Sequence, residues 1–571
     1  MKFLLNMVHH NPGEPPFQSA FLDPAHLADY GFNGQVFKHI NCIATYAKLG
    51  VDVFPEGSPD RKWLDEFRPP IEQEIAAAKA KGLSVYYHID LFVLPQRLVA
   101  HFKDEICDAD GRISLDKPKT LDIHRALFDE LTVKYPQVDG YVIRVGETYL
   151  FDTPYHQGNG PIPRAMTPAT APSHHEQAAG GQKLKVNWSQ AQTDAYVKLI
   201  NFLREEVCVR HDRHIFFRTW DTSPDKLHAR PDHYLAVTDQ IEPHPKLRFS
   251  IKHTALDFWR HVKVNETIGI GKHRQIIEVQ CQREYEGKGA YPNYVMDGVI
   301  NGFEENAKPI GLKELLRLPI VDGVFGWARG GGWYGPRIKD EFWPDINAFV
   351  LAKFSADPAH SEEEAFREYA RTKIGLTGAD VDRFRKLCLL SARAILKGRY
   401  CEAYDHILME SLMPTGNWMR DDRLGGRKQL GEVLKFITEH DLTDEALKEK
   451  ADAIVLWDQL CKLNKEIAWP AGPRWECVKT SAEYGRLLFN IVHQAWRVLI
   501  AGYVGEKTGK LNKAELTDAL TKYDAFWAEY RELGQSPSCA SLYEGVYLNL
   551  PGTPVAPGLT ESVDHYRPMA K

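Results

Sequence analysis

The chain has 571 residues, of which 43% are hydrophobic and 26% are charged, and its formal net charge at pH 7 is −6. This composition is that of a globular protein too long for one ordinary core, so two large units are expected. The near balance of charge and the lack of a basic run argue against nucleic acid as a partner.

The nine cysteines are scattered along the chain and form no CxxC pair. Their odd number and spacing predict reduced thiols, neither a disulfide framework nor a zinc knuckle. No window approaches the ~18 apolar residues that a membrane span requires. The N-terminal run MKFLLNMVHHNPGE is too short and too interrupted for a signal peptide. We therefore expect a cytoplasmic protein with no membrane partner, although removal of a signal peptide would leave the same sequence.

Eight short apolar runs alternate with longer amphipathic segments over residues 1–345, which is typical of a βα repeat. The predicted strands are residues 3–8, 32–37, 83–89, 140–145, 214–219, 248–253, 276–281 and 324–328. Their near-continuous apolar character fits strands covered on both faces. Eight such strands predict a (β/α)8 TIM barrel. The first strand leads into HHNPGEPP, which is not the Gly-rich phosphate loop of a doubly wound sheet.

The pattern becomes helical from Phe349 onward. SEEEAFREYARTKIG begins at Ser361 with a capping box that Glu364 completes. YGRLLFNIVHQAWRVLIAGY, residues 484–503, is apolar almost all round and predicts a central buried helix. We therefore predict an α/β barrel over residues 1–345, a C-terminal all-α domain over 346–535 and an irregular Pro-, Gly- and Ser-rich tail over 536–571. The helical domain is expected to cover the barrel's side or to contribute to a homodimer.

Three acidic residues follow predicted barrel strands. Glu147 comes after the fourth strand, Asp257 after the sixth and Glu284 after the seventh. Chemistry in such barrels takes place at the C-terminal ends of the strands, so the three carboxylates are expected at one rim. Each alone fits a solvated loop residue. Together they match the paired carboxylates of glycoside cleavage, one protonating the departing oxygen and another acting as base or nucleophile.

Basic and aromatic side chains accompany these acids. The candidate substrate-binding residues are His10, Arg144, Tyr149, Arg218, Trp220, Lys252 and Trp327. An aromatic face can pack against a sugar ring, although each tryptophan also fits a hydrophobic core. The cations suit either a substrate carboxylate or the pairing of the protein's own acids.

A metal site is the rival interpretation of the same rim. Its potential ligands are His9, His10, Glu147, His253 and Glu284. Adjacent histidines on a strand point to opposite faces, whereas a metal-dependent hydrolase barrel needs a His-x-His spacing. We therefore expect no metal and no other cofactor.

Several stretches resemble glycoside hydrolase family 67, the α-glucuronidases. IKHTALDFW, residues 251–259, and EVQCQREYEG, residues 278–287, are similar to the family's IKYGPxDFQ and ELQITQEYLG segments, which carry its base-side carboxylates. IRVGETYLFD, residues 143–152, resembles the segment that carries the general acid. The resemblance covers about residues 140–375, and the family has a further domain before its barrel.

The resemblance implies an exo-acting glycoside hydrolase that removes α-linked glucuronic acid, or its 4-O-methyl ether, from oligosaccharides. Glu147 would be the general acid, while Asp257 and Glu284 would activate water in one inverting step. The uronate carboxylate would be held by Arg144, Arg218 and Lys252. The alternatives are a retaining glycosidase with Glu284 as nucleophile, a metal-dependent sugar isomerase or hydrolase, and a sugar-binding protein without turnover.

Overall fold

The computed structural model describes residues 1–10, 17–145, 153–158, 188–220, 227–306, 308–331, 335–357, 359–407, 419, 424–543 and 558–571. Eight parallel strands close into a barrel in chain order. They are β1 (Phe3–His9), β2 (Gly34–Lys38), β3 (Ser84–Asp90), β4 (Gly140–Arg144), β5 (His214–Arg218), β6 (Leu247–Lys252), β7 (Arg274–Gln280) and β8 (Val321–Gly330). Each coincides with a predicted strand to within a few residues. The TIM barrel followed by an all-α region is confirmed.

The barrel closes because β1 pairs on both sides. Leu5 lies opposite Gly34 in β2 and opposite Phe325 in β8. Alternate side chains of each strand point into the barrel. The interior core consists of Phe3, Leu5, Met7, Val36, Tyr86, Val142, Phe216, Ile276, Phe325 and Trp327. The outward-facing residues are buried as well, under the surrounding helices, which accounts for the near-continuous apolar strands.

Helices surround the barrel strands. They are α1 (Pro24–Tyr30), α2 (Pro59–Ala80), α3 (Gln96–His101), α4 (Lys103–Ile106), α5 (Pro118–Lys134), α6 (Gln190–Leu203), α7 (Pro231–Thr238), α8 (Met296–Asn301), α9 (Leu312–Leu315) and α10 (Phe342–Ala356). A π-helical segment, Arg204–Arg210, continues α6. Three short 3-10 helices lie at Ala20–Leu22, Ile40–Ile43 and Ala47–Leu49, and a two-stranded antiparallel ribbon joins Val93–Pro95 to His156–Gly158.

The C-terminal region is helical. It contains α11 (Glu362–Tyr369), α12 (Ala379–Arg399), α13 (Glu402–Ile407), α14 (Arg427–Glu439), α15 (Thr443–Glu466), α16 (Pro473–Thr508), α17 (Lys513–Leu533) and α18 (Leu559–Tyr566), with a π-helical turn at Ala370–Ile374 and a 3-10 turn at Arg567–Ala570. The predicted capping box begins α11, where the Glu364 carboxylate accepts from the Ser361 N–H at 2.7 Å.

Helix α16 is the central buried helix that the sequence predicts, and it packs between α15 and α17. Among the described helices it is the one long and apolar enough to cross a membrane by length and composition, yet 72% of the relevant window is buried inside the protein. The segment expected to be irregular ends in α18, because Leu559, Val563 and Tyr566 bury their side chains against this core.

Helix α10 links the barrel to the helical region through one buried carboxylate. Asp345 accepts hydrogen bonds from the Tyr30 hydroxyl at 2.6 Å, from the Tyr369 hydroxyl at 2.7 Å and from the Arg474 guanidinium at 2.8 Å. These partners come from α1, α11 and α16. The predicted boundary between residues 345 and 346 falls inside α10, at this junction, and the division into domains stays a prediction.

Candidate active site

The C-terminal ends of β2 to β6 collect charged side chains at one opening of the barrel. These strands end, in order, at Lys38, Asp90, Arg144, Arg218 and Lys252. Asp90 is paired in register with Arg144, and Lys38 with His88, so the side chains of each pair lie on one face of the sheet. This alternation explains why the cations meet at the barrel mouth.

Arg144 is held by a neighbouring strand. Its Nε donates to Asp90 Oδ1 at 2.5 Å, and its Nη2 donates to Oδ2 at 2.7 Å. The Arg144 side chain is 3% exposed and that of Asp90 is 12% exposed. A bidentate pair of this kind fixes the guanidinium plane at the rim.

Arg218 forms a second and deeper bidentate pair. It donates to both carboxylate oxygens of Glu278, at 2.9 and 2.8 Å, and Ser250 Oγ donates to the same carboxylate at 2.8 Å. The two charged side chains are 1% and 0% exposed. Arg218 Nη1 is buried and has no hydrogen-bond partner in the described part of the chain.

Lys252 and Asp257 form the third pair. The Lys252 ammonium contacts Asp257 Oδ1 and lies 3.8 Å from the centre of the Trp220 ring. The other Asp257 oxygen accepts from the Tyr285 hydroxyl at 3.1 Å. Asp257 is 22% exposed, whereas Lys252 is 3% exposed, so the carboxylate is the more accessible member of the pair.

Two neutral histidines lie among these cations. Burial lowers the pKa of His9 and of His88 well below the usual value, and the nearby charges of Lys38, Arg144 and Arg218 lower both further. The His9 ring lies 6.5 Å from that of His88 and 5.2 Å from that of Trp327, centre to centre. Neutral imidazoles at this depth are suited to hydrogen bonds with uncharged groups such as hydroxyls.

Glu284 stands on a loop with an unusual backbone. Arg283, immediately before it, has φ of 58°, and the Glu284 N–H donates to Gln280 Oε1 at 2.9 Å. Glu284 is 8% exposed, and its carboxylate lies against the backbone of Gly331 at the end of β8. A non-glycine residue held at positive φ is uncommon and clusters at functional sites.

The aromatic candidates differ in position. Trp327 is 6% exposed at the top of the interior core, and the Arg218 guanidinium lies 4.8 Å from its ring centre. Its Nε1 has no hydrogen-bond partner within the described residues. Trp220 is also 6% exposed and belongs to a buried cluster with Trp259 and Tyr400. Each ring therefore lies in a buried cluster beside a candidate cation, Trp327 beside Arg218 and Trp220 beside Lys252.

His10 lies at the end of β1, outside the ring of inward residues. Its ring is 4.1 Å from that of Phe17, and the Arg329 guanidinium lies 3.8 Å from the centre of the same Phe17 ring. Burial, Lys38 and Arg329 together lower the pKa of His10 to about 4. The other two candidates, Glu147 and Tyr149, lie outside the described residues.

The described histidines of the alternative metal set point in different directions. His9 lies beside Trp327 and His10 against Phe17, while His253 Nδ1 is 3.2 Å from the backbone oxygen of Glu278. Within the described ranges, three potential ligand groups cluster at Asp129 on α5, Glu206 in the π-helical segment and His211, the residue that follows that segment. Arg210 is ion-paired with both carboxylates of that group.

Glu278 and Tyr285 contact candidate residues at the barrel mouth, Arg218 and Asp257, although the sequence did not single them out. A lone carboxylate inside the apolar run of β7 is a recognisable signal for Glu278, because a buried charge requires a partner. Tyr285 contacts Asp257 from a loop that contains Arg283 at positive φ, and the sequence carries no comparable signal for that backbone conformation. The catalytic and binding roles of the predicted residues stay predictions.

No protein-family model matches the chain. No curated protein matches it either. Among solved structures, a GH138 enzyme targeting pectin rhamnogalacturonan II aligns with 99% of this chain at a TM-score of 0.57 and 11% identity. The alignment covers 66% of that enzyme, so this chain spans slightly less than two thirds of its length. The likeness shows a shared fold.

Two looser alignments concern other carbohydrate-active proteins. A mutant O-GlcNAc hydrolase of Thermobaculum terrenum aligns over 93% of this chain and 88% of its own, with a TM-score of 0.43 and 9% identity. A noncanonic maltogenic α-amylase of Thermotoga neapolitana aligns over 64% and 78%, with a TM-score of 0.30 and 10% identity. These scores are too low to carry an argument. None of the three is described as an α-glucuronidase.

Proposed function

We propose that this protein is a glycoside hydrolase that removes an acidic sugar from the end of an oligosaccharide. The observation that carries the proposal is the barrel mouth. Three neighbouring strands there present the buried cations Arg144, Arg218 and Lys252, the last of them ion-paired with Asp257, and Glu284 follows the next strand, β7. Carboxylates supply the acid and base of glycoside cleavage, and cations suit a negatively charged sugar.

The three cations are already ion-paired within the protein, and this bears on how the carboxylate of a uronic acid would bind. Each of the three is already held by a carboxylate of the protein, at Asp90, Glu278 and Asp257. A sugar carboxylate would therefore meet pre-oriented donors rather than bare charges, with Arg218 Nη1 the group still lacking a partner among the described residues. Preorganised donors avoid the cost of ordering long side chains on binding.

The finer proposal follows the sequence resemblance. The sugar is α-linked glucuronic acid or its 4-O-methyl ether, and cleavage proceeds with inversion. Glu147 protonates the departing oxygen, while Asp257 and Glu284 orient and deprotonate the attacking water. We also propose that the enzyme works in the cytoplasm on oligosaccharides and needs no metal. The fold shared with a GH138 enzyme is compatible with this activity and does not select the sugar.

Purified protein should be assayed on matched aryl α-glucuronide, α-galacturonide and α-glucoside substrates. We expect kcat/KM on a uronide to exceed that on the glucoside by at least ~100-fold, about 2.7 kcal/mol of discrimination. Equal rates on the glucoside would overturn the acidic-sugar assignment. Binding of uronides without turnover would instead identify a sugar-binding protein.

Two variants test the catalytic residues. Asp257→Asn and Glu284→Gln should each lower kcat by roughly 10³-fold or more, as expected for groups that act on the transition state. Glu66→Gln, on the exposed surface of α2, is the matched control, since that side chain is 71% exposed. NMR of the first-formed anomer decides between inversion and retention with Glu284 as nucleophile. Loss of turnover in a chelator would favour the metal-dependent alternative.

A further inference from the structure

The end of helix α12, in the C-terminal region, touches the loop that carries Glu284. Arg399, the last residue of α12, donates from Nε to the backbone oxygen of Tyr285 at 2.8 Å. Tyr400, its C-cap, donates from its hydroxyl to Glu286 Oε1 at 2.6 Å. Both side chains are fully buried. The helical region therefore contacts Tyr285 and Glu286, the two residues that directly follow Glu284. We call these contacts of Arg399 and Tyr400 the grip.

The loop itself is tied by Glu286. Arg283 donates to both oxygens of this carboxylate, at 2.8 and 3.0 Å, and the Arg260 N–H donates to it at 3.1 Å. Burial would by itself raise the pKa of Glu286, but Arg283 and the Tyr400 hydroxyl lower it to about 2. The carboxylate therefore remains charged, and it binds the side chain of Arg283, the residue at positive φ that immediately precedes Glu284.

The same contacts reach Asp257 through an aromatic stack. The Tyr285 ring is stacked on that of Trp259 at 4.3 Å, and the Tyr285 hydroxyl donates to Asp257 at 3.1 Å. The Arg399 guanidinium lies 4.7 Å from the centre of the Trp259 ring. Arg399 thus contacts both members of the stack, one through its backbone and one through its ring.

The C-terminal end of α12, which carries Arg399, is itself held by contacts with α15. The buried Lys450 ammonium donates to the backbone oxygen of Lys397 at 2.7 Å and to that of Tyr400. Glu449 lies 3.1 Å from the same ammonium. A cation at a helix C-terminus satisfies carbonyls that lack partners within the helix. The contacts thus run from α15, through α12, to the candidate carboxylates.

We infer that Arg399 and Tyr400 are positioning residues, by which the helical region sets the placement of Asp257 and Glu284. The inference rests on the proposed function for its catalytic meaning, because it assigns these carboxylates to the reaction. It also gives the helical region a task beyond covering the barrel. Without Arg399 and Tyr400, the loop over residues 282–288 keeps its internal Arg283–Glu286 pair but loses these hydrogen bonds to α12.

Hydrogen exchange of the loop tests the grip without any need for activity. Tyr400→Phe removes one buried hydroxyl, the bond it donates to Glu286 and the bond it accepts from the Arg260 backbone N–H at 3.1 Å. Tyr369→Phe is the matched control, because it removes a buried hydroxyl of the same kind from Asp345, at the junction. Amides of residues 282–288 should exchange at least ~10-fold faster in Tyr400→Phe than in the control. Equal exchange in the two variants would overturn the grip.

Kinetics then test what the grip does. Tyr400→Phe should lower kcat by roughly 10-fold with little change in KM, because the reacting groups are displaced while the sugar still binds. Arg399→Lys should retain more activity than Arg399→Met, since it keeps a donor for the Tyr285 carbonyl. A kcat equal to that of Tyr369→Phe, with faster loop exchange, would overturn the positioning role. A wild-type protein without turnover would refute the proposed function instead, and the exchange data would still decide the grip.

Discussion

Replacing Gly331 by alanine tests whether kcat depends on the position of the Glu284 carboxylate. Gly331 has φ of 92°, and a Cβ on it would lie 2.6 Å from Glu284 Oε2 and 3.0 Å from Glu284 Cδ. It would also collide with Nε2 of Gln280. Ordinary contact begins near 3.4 Å, so the carboxylate would have to retreat by roughly 0.8 Å.

We expect Gly331→Ala to lower kcat strongly and the free energy of unfolding only slightly. Both obstructing groups are the far ends of flexible side chains, so the structure can accommodate the methyl group by moving them. A misplacement of about 1 Å can cost ~100-fold in rate, and we expect kcat to fall by about that factor. The positive φ should lower the free energy of unfolding by ~1 kcal/mol.

Gly375 provides the control for the backbone effect. Its φ is 86°, and a Cβ there would meet no atom within 4 Å. The assay compares kcat, KM and the thermal midpoint of Gly331→Ala and Gly375→Ala on one aryl glycoside. If the two variants agree in kcat within about threefold, Glu284 does not stand at the reaction centre.

Three further predictions follow from buried ionisable groups. Glu278→Gln should lower the free energy of unfolding by ~3–5 kcal/mol, because it leaves the Arg218 guanidinium without its counter-charge. Chemical denaturation measures this, and a loss under ~1 kcal/mol would contradict a buried pair. Asp345→Ala should cost ~3 kcal/mol, since the two buried hydroxyls of Tyr30 and Tyr369 lose their acceptor and the more exposed Arg474 loses its ion pair. Exposed Asp382→Ala is the control, with little expected change in thermal midpoint. Finally, burial lowers the pKa of His39 and His253 to about 3. Unfolded histidines bind protons near pH ~6.5, so stability should fall as pH drops below that value, and a thermal midpoint that stays flat between pH 7.5 and 5 would exclude this.

The barrel could be predicted from the sequence because each strand is covered on both sides. That burial leaves short apolar runs, and the segments between them are long enough for helices. The start of helix α11 could be predicted as well, since its capping box consists of two residues three positions apart. Helix α18 was missed because its contacts with the helical core come from sequence-distant residues, which the local richness in proline and glycine conceals.

The positions of the candidate site's cations could be predicted better than their ion-pair partners. Strand ends place Arg144, Arg218 and Lys252 at the mouth, as the alternation of side chains requires. The sequence left open whether the cations pair with the protein's own acids, and it did not identify the partner of Arg218, which comes from β7, sixty residues away. Local sequence also cannot encode that Arg399, on a helix beyond the barrel, touches the loop after Glu284.

The closure of the barrel through β1 has a consequence for how the protein is made. Asn6 Oδ1 accepts from the Ala328 N–H, a partner 322 residues further along the chain. At ~5–20 residues per second, roughly 15–60 seconds of synthesis separate the two. Throughout that interval one edge of an apolar strand stays open on the ribosome, where unpaired strand edges favour aggregation. The yield of this protein in cells should therefore depend on how well that single edge is shielded while the chain grows.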